Sequence, residues 1–157
     1  MLFNSLEFLI LFLPATLLLF SLTAARGAGR KFLQILLFVA SCVFIGANGV
    51  LSLCLLLLSL GVNYLFLRWL AASSPDDVRR RIMVLSVAAN LGLIAVFKYA
   101  DFVGQSFAEI SGYEIPLANR TLPLAISFYT FQLIALTVDN WKNRLPCPSF
   151  ANLSLFV

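Results

Sequence analysis

FLILFLPATLLLFSLTAA, residues 8–25, runs for a full transmembrane length without one charged side chain. A helix of this length rises about 27 Å, close to the hydrocarbon thickness of a bilayer. Pro14 lies inside the run, and membrane helices tolerate proline where neighbouring groups satisfy the carbonyl it leaves unpaired. The stretch therefore predicts a helix that crosses a membrane.

The composition extends this conclusion to the whole chain. Of its 157 residues, 61% are hydrophobic and 11% are charged, and the mean hydropathy is +0.97. A soluble domain is about 45–50% apolar and about 25% charged. The formal charge of +4 comes from short basic clusters between apolar runs, so we expect a lipid bilayer, and no nucleic acid, as partner.

The hydropathy pattern predicts an all-α, polytopic integral membrane protein of about five transmembrane helices, in one membrane domain over residues 1–157. The predicted spans are 8–25, 32–45, 50–70, 82–99 and 122–139. Gly46–Gly49 supplies a turn between the second and third spans. We expect a loop at 71–81 and a more polar segment at 100–121. Residues 150–157 become apolar again and are expected to begin a sixth span that the chain truncates.

Basic residues between the spans predict the orientation. Nine of the eleven Lys and Arg residues fall on one side if the spans alternate. Because Lys and Arg collect in cytoplasmic loops, this asymmetry places the N-terminus outside. The nine residues are Arg26, Arg30, Lys31, Arg68, Arg79, Arg80, Arg81, Lys142 and Arg144.

Four strings in this order resemble a known family: MLFNSLEFL at 1–9, VNYL at 62–65, NLGLIAVFKY at 90–99, and LPLAISFYTFQ at 122–132 followed by Asp139. Together they resemble the N-terminal portion of the membrane-bound O-acyltransferases (MBOAT). The similar branch is the one that O-acetylates alginate and other bacterial exopolysaccharides. Two positions depart from its pattern: Ala125 stands where the family commonly has Gly, and Asp101 where it commonly has Asn.

The resemblance implies a multi-pass protein of the cell (inner) membrane. It would transfer an acyl group, such as the acetyl of acetyl-CoA, from a cytosolic donor toward hydroxyls of an extracytoplasmic polysaccharide. It also implies a periplasmic acetyltransferase as a further partner. No bound cofactor and no metal site are expected, since no ligand cluster is visible in the sequence.

Acyl transfer to a hydroxyl needs a base, and histidine is the usual one. This sequence contains no histidine. The resemblance places the family's essential histidine on a later helix beyond this chain. We therefore predict no catalytic residue here and expect the chain to be inactive alone.

Polar residues within the apolar spans are the remaining candidates. By the resemblance, Lys98, Ser127, Thr130 and Gln132 line a channel toward the reaction centre. The alternative is that Lys98 pairs with Asp101 or snorkels to the interface, and that the other three hydrogen-bond within the helix bundle.

Three further polar residues, Asn63, Asn90 and Asp139, are predicted to be structural. Asn63 and Asn90 are expected to hydrogen-bond across helices, and Asp139 to cap its helix or pair with Lys142. A different class of function also stays open: a small non-catalytic membrane subunit or part of a transporter. A frameshifted, inactive relative is a third hypothesis.

Overall fold

A computed structural model describes residues 5–47, 49–99 and 125–157, and every regular element among them is helical. This confirms the predicted all-α class for the described residues. The six helices are α1 (Phe8–Ala25), α2 (Arg30–Gly46), α3 (Val50–Ala72), α4 (Asp76–Ile94), α5 (Ile126–Asn143) and α6 (Phe150–Phe156). The predicted segment at 100–121 and the first residues of the fifth predicted span lie outside the described ranges.

Three helical segments are long and apolar enough to cross a membrane: Phe8–Ala25, Val50–Ala72 and Asp76–Lys98. Helix α2 has 17 residues, a rise of about 26 Å. The last turn of α5 is polar, so its apolar part is shorter than the helix. These segments support a membrane protein, whereas the count of five spans and the orientation stay predictions.

The chain forms two compact units. One contains Met1–Leu60 with Pro148–Val157, and the other contains Gly61–Cys147. Helix α3 contributes its first half to the first unit and its second half to the second unit. The prediction of a single membrane domain remains a prediction.

Helix α1 begins irregularly, and Pro14 explains why. Residues Phe8–Phe12 form a π-helical turn, in which the N–H of Leu13 donates to the carbonyl of Phe8. Proline has no N–H to donate and its ring crowds the preceding turn, so the usual hydrogen-bond ladder is interrupted there. The wider turn is the local adjustment that membrane helices use to accept a proline.

Aromatic rings hold the start of α1 against α2. The rings of Phe8 and Phe12 lie 5.0 and 5.7 Å from the ring of Phe44, and Phe44 is buried. Tilted aromatic pairs at this separation stabilise packing beyond the area that they bury. The contact therefore fixes the irregular end of α1.

Helix α6 packs against α2 within the same unit. The ring of Phe150 meets that of Phe38 edge-on at 6.4 Å, and Gln34 Nε2 donates to Asn152 Oδ1 at 3.1 Å. Leu153, only 1% exposed, is the buried anchor of α6. The expectation that this segment begins a sixth span stays a prediction.

The predicted loop at 71–81 is wrong in extent, because helices occupy most of it. Helix α3 continues to Ala72, and α4 begins at Asp76. Pro75 is the residue before α4, and Asp76 and Asp77 occupy its first turn. Acidic residues there interact favourably with the positive end of the helix dipole, which favours a helix start at this point. Residues 79–81, the three arginines, therefore lie within α4 and not in a loop.

The second unit buries polar and apolar side chains together where α4 packs against α5. Its buried apolar residues include Leu67, Leu70, Ile94, Ile126, Tyr129 and Leu133. Among its described residues, the buried polar ones are Asn63, Arg79, Ser86, Asn90, Thr130, Thr137 and Asn140. A polar group removed from water must find a partner, or it costs free energy. The candidate site is therefore sought in this unit.

Candidate functional site

Two asparagine side chains meet between α3 and α4. Asn63 Nδ2 donates to Asn90 Oδ1 at 3.1 Å, and Asn90 Nδ2 donates to Asn63 Oδ1 at 2.8 Å. Ser86 Oγ donates to Asn63 Oδ1 at 3.3 Å, and Asn90 Nδ2 also donates to the carbonyl of Ser86 at 2.8 Å. All three side chains are buried, with Ser86 at 0% exposure.

The spacing of these residues explains the network. Ser86 and Asn90 are four residues apart on α4, so they lie on one face, and that face meets Asn63 of α3. Each carboxamide oxygen accepts from the opposite amide, so neither oxygen is left unsatisfied. The arrangement fixes the register of α3 relative to α4.

Arg79 forms a second polar centre. Its Nη1 donates to the carbonyls of Leu70 and, at 3.5 Å, Ser73. Its Nη2 donates to the carbonyls of Asn140 at 3.2 Å and Trp141 at 3.4 Å. The side chain is buried at 5% exposure, so a positive charge lies inside the unit.

The carbonyls that Arg79 contacts explain how this charge is accommodated. They lie at the C-terminal ends of α3 and α5, where helix carbonyls lack intrahelical partners and the dipole is negative. The planar guanidinium has five donors and can serve both ends at once. The basic clusters in the sequence indicated only an orienting role for Arg79. The available signal was its position three residues after Asp76, because paired acidic residues such as Asp76 and Asp77 are typical of the first turn of a helix.

The predicted residues of α5 differ in their surroundings. Thr130 is fully buried, and its hydroxyl donates to the carbonyl of Ile126 at 2.6 Å. Ser127 and Gln132 are half-buried, and Gln132 Oε1 is inaccessible with no hydrogen-bond partner among the residues that the structure describes. Thr130 thus bonds within its own helix, whereas Gln132 presents an acceptor.

Lys98 lies in an irregular part of its helix. After Ile94, α4 continues as a π-helical turn, Ala95–Tyr99, and Lys98 is in its last turn. The Lys98 side chain is exposed, unlike Ser86 and Asn90 earlier on the same helix. No proline lies within or beside this turn to account for it, and such π-bulges are frequent at functional sites. Its proposed partner Asp101 lies outside the described residues.

Asp139 is exposed on α5, and no ion pair joins it to Lys142 in the described part of the chain. The ion pair found there is between Arg144 and Asp76, which links the end of α5 to the start of α4. Both partners are largely exposed, so the pair contributes little, about 0–1 kcal/mol. No local pattern in the sequence indicates this pairing, because Asp76 and Arg144 are distant along the chain.

No group of His, Cys, Asp and Glu side chains that could hold a metal occurs among the described residues. The arrangement in the second unit is one of hydrogen-bonding amides, hydroxyls and one buried guanidinium. Such groups can position helices and bind polar atoms, but they do not supply a base of suitable pKa. Fold and site together define a helical membrane protein with a buried polar core.

Comparison with known proteins then identifies the relatives. The chain is 33% identical over 144 residues to a peptidoglycan O-acetyltransferase of Helicobacter pylori, which covers 92% of this chain and 27% of that protein. It is 36% identical over 154 residues to the probable alginate O-acetylase AlgI of Pseudomonas aeruginosa, covering 93% and 28%. The corresponding protein of Azotobacter vinelandii is 33% identical over 151 residues, covering 93% and 29%.

These similarities confirm the resemblance to the membrane-bound O-acyltransferases: the chain is a relative of the O-acetyltransferases of that family. The chain spans between about a quarter and a third of the length of these curated relatives. No family model matches the chain, and no solved structure matches it significantly.

Proposed function

We propose that this chain is the N-terminal part of a membrane-bound O-acyltransferase of the inner membrane. The complete protein would transfer an acetyl group from a cytosolic donor such as acetyl-CoA to hydroxyls of an extracytoplasmic polysaccharide. The observation that carries the proposal is the similarity over 92–93% of the chain to proteins named for O-acetylation of peptidoglycan and alginate. The membrane-length helices are consistent with it.

Acyl transfer requires groups that this chain contains and a base that it does not contain. The acceptor oxygen attacks the acyl carbonyl, the donor's leaving group departs, and a base takes the hydroxyl proton. This sequence contains no histidine. The proposal therefore requires that the base come from outside these 157 residues, and it assigns to this chain the positioning of helices and part of the donor path.

Two side chains are proposed to line that path. Gln132 offers a carbonyl oxygen that no described group satisfies, and Lys98 offers a positive charge from a π-helical turn. An amide and an ammonium suit the polar and anionic parts of an acyl donor. Ser127 and Thr130 lie near Gln132 on the same helix, and the hydrogen bond from the Thr130 hydroxyl to the Ile126 carbonyl supports a structural role for Thr130.

The test is deletion of the gene that encodes this chain, followed by measurement of base-released acetate from the cell-surface polysaccharides. The expected result is loss of O-acetyl groups and their recovery on complementation with the complete gene. Complementation with Lys98→Met or Gln132→Leu should restore the protein to the membrane but not full acetylation. Lys142→Met is the matched control, because Lys142 is an exposed lysine in the last turn of α5.

Unchanged acetylation in the deletion strain would contradict the proposal. A stable complex with another membrane protein would then favour the alternative, a non-catalytic subunit or part of a transporter. The proposal also requires a histidine within an apolar segment elsewhere in the complete gene product. Co-purification with a periplasmic acetyltransferase would extend the proposal to the partner that the resemblance implies.

A further inference from the structure

Three consecutive arginines on α4 have two different environments. Arg79 points into the second unit and is 5% exposed, whereas Arg80 and Arg81 are exposed. Within the described residues, neither Arg80 nor Arg81 forms an ion pair, although Asp77 lies one turn before Arg81. Two adjacent positive charges are therefore presented on the outside of the helix.

An open groove of about 480 Å³ runs along the same face of α4. The residues described in its lining are Arg80, Arg81, Val84, Leu85 and Ala88. They are spaced one helical turn apart, so they form a continuous strip. Val84 and Leu85 are 53% and 57% exposed, and the strip is apolar beyond its two arginines.

The groove extends from the two arginines near the start of α4, whose alkyl stems line it, to aliphatic side chains further along the helix. Asp76–Lys98 is long and apolar enough to cross a membrane, and Arg80 and Arg81 lie near its start. Val84 lies about 6 Å, and Ala88 about 12 Å, further along the helix axis than Arg80. Arginines at headgroup depth with aliphatic side chains beneath them match the layout of a phospholipid.

We propose that this groove binds one anionic phospholipid, with its phosphate on Arg80 and Arg81 and an acyl chain along Val84, Leu85 and Ala88. Charge complementarity carries the choice of an anionic lipid, because arginine binds phosphate oxygens in bidentate fashion. Basic groups of this kind on the flanks of membrane helices bind anionic headgroups. The proposal is independent of the acyltransferase assignment.

The test is native mass spectrometry of the 157-residue protein in detergent, titrated with phosphatidylglycerol or phosphatidylcholine of identical chains. We expect tighter binding of phosphatidylglycerol to the unmodified protein. Arg80→Gln with Arg81→Gln should weaken it about thirtyfold, since losing each arginine that contacts the phosphate costs about fivefold in affinity. Ala88→Trp should also weaken it, because the indole would fill the apolar end of the groove.

Arg26→Gln with Arg30→Gln is the matched control, because it removes two exposed arginines elsewhere on the chain and should leave binding unchanged. An equal loss in this control, or equal binding of the two lipids by the unmodified protein, would overturn the proposal. Displacement of the lipid by millimolar inorganic phosphate would also overturn it, since it would indicate a site for the free anion. The lipid comparison uses unmodified protein, so it stands even if a variant fails to fold.

Discussion

The carboxamides of Asn63 and Asn90 exchange two hydrogen bonds, of 3.1 and 2.8 Å, across the contact between α3 and α4. The Ser86 hydroxyl is a second donor to Asn63 Oδ1, beside Asn90 Nδ2. A reciprocal amide pair is directional, so sliding either helix by one residue would break both bonds. The pair thereby sets the register of the two helices that form the polar core of the second unit.

The reciprocity of this pair makes a testable prediction. Asn90→Leu should lower the free energy of unfolding by about 1–2 kcal/mol, because it removes both hydrogen bonds that Asn90 makes with the buried amide of Asn63. Asn63→Leu with Asn90→Leu should cost less than the sum of the single changes. The measurement is unfolding by dodecyl sulfate in micelles, with Asn143→Leu, at an exposed amide at the end of α5, as control. Strict additivity would show that the two residues are not coupled.

Arg79 should matter far more to stability than the arginine beside it. Arg79→Gln should lower the free energy of unfolding by about 2 kcal/mol or more, because carbonyls at the ends of two helices lose a charged donor. Arg79→Lys should recover only part of this, since an ammonium lacks the planar fork that reaches both ends. The same unfolding measurement applies.

Arg80→Gln is the control for Arg79, because it makes the same substitution one residue later at an exposed position. In detergent without anionic lipid it should change the free energy of unfolding by less than about 0.5 kcal/mol. Equal effects at the two positions would contradict the inward placement of Arg79.

Ala125 occupies a conformation that favours glycine, with φ +59° and ψ +11° just before α5. An L-residue in this left-handed region costs about 1–2 kcal/mol, which glycine largely avoids. Ala125→Gly should therefore raise the free energy of unfolding by up to about 1 kcal/mol. Ala135→Gly, at an exposed position within the same helix, should lower it by about 1 kcal/mol. A loss of stability in both variants would refute the strained assignment of Ala125.

Cys147 follows α5 in the chain, and burial raises the pKa of its thiol, while the positive charge of Arg68 partly offsets this rise. Alkylation requires the thiolate, so a raised pKa leaves less of the reactive form at a given pH. In a variant with Cys42 and Cys54 changed to Ala, we expect Cys147 to react with iodoacetamide more slowly at pH 8 than an unperturbed thiol does.

Removing the charge of Arg68 should raise the pKa of Cys147 further and slow the reaction again. Stopped-time alkylation followed by mass spectrometry measures both rates across pH 7–10. Arg26→Gln is the control, since Arg26 is not among the charges that act on this thiol. Faster alkylation after Arg68→Gln would contradict the sign of the electrostatic effect.

Much of the fold was predictable because membrane helices leave a strong local signal. The predicted bounds of α1, 8–25, agree with the structure, and the end of α2 and the start of α3 fall where Gly46 and Gly49 indicated a turn. The start of α4 was set too late, at residue 82. Its first turns carry charges that suit a helix end in the headgroup region, so hydropathy alone did not reveal them.

The candidate site was predictable only in part. Asn63 and Asn90 were singled out because an amide at membrane depth needs a partner, but the contribution of Ser86 depends on the geometry between helices. The resemblance groups Thr130 with Gln132 as channel lining, whereas in the structure the Thr130 hydroxyl donates to a carbonyl of its own helix. The strain at Ala125 was also hidden, since a sequence shows a residue type and not its φ angle.

The sequence by itself determined that the chain belongs in a lipid bilayer, that it is helical, and which family it resembles. These follow from the lengths of the apolar runs and from short motifs, which are local properties of the chain. Only the tertiary structure decided which polar groups meet. It separates the three adjacent arginines, burying Arg79 between helix ends and leaving Arg80 and Arg81 over an apolar groove. Successive residues on a helix point about 100° apart, so whether each one meets carbonyls or lipid depends on how neighbouring helices pack.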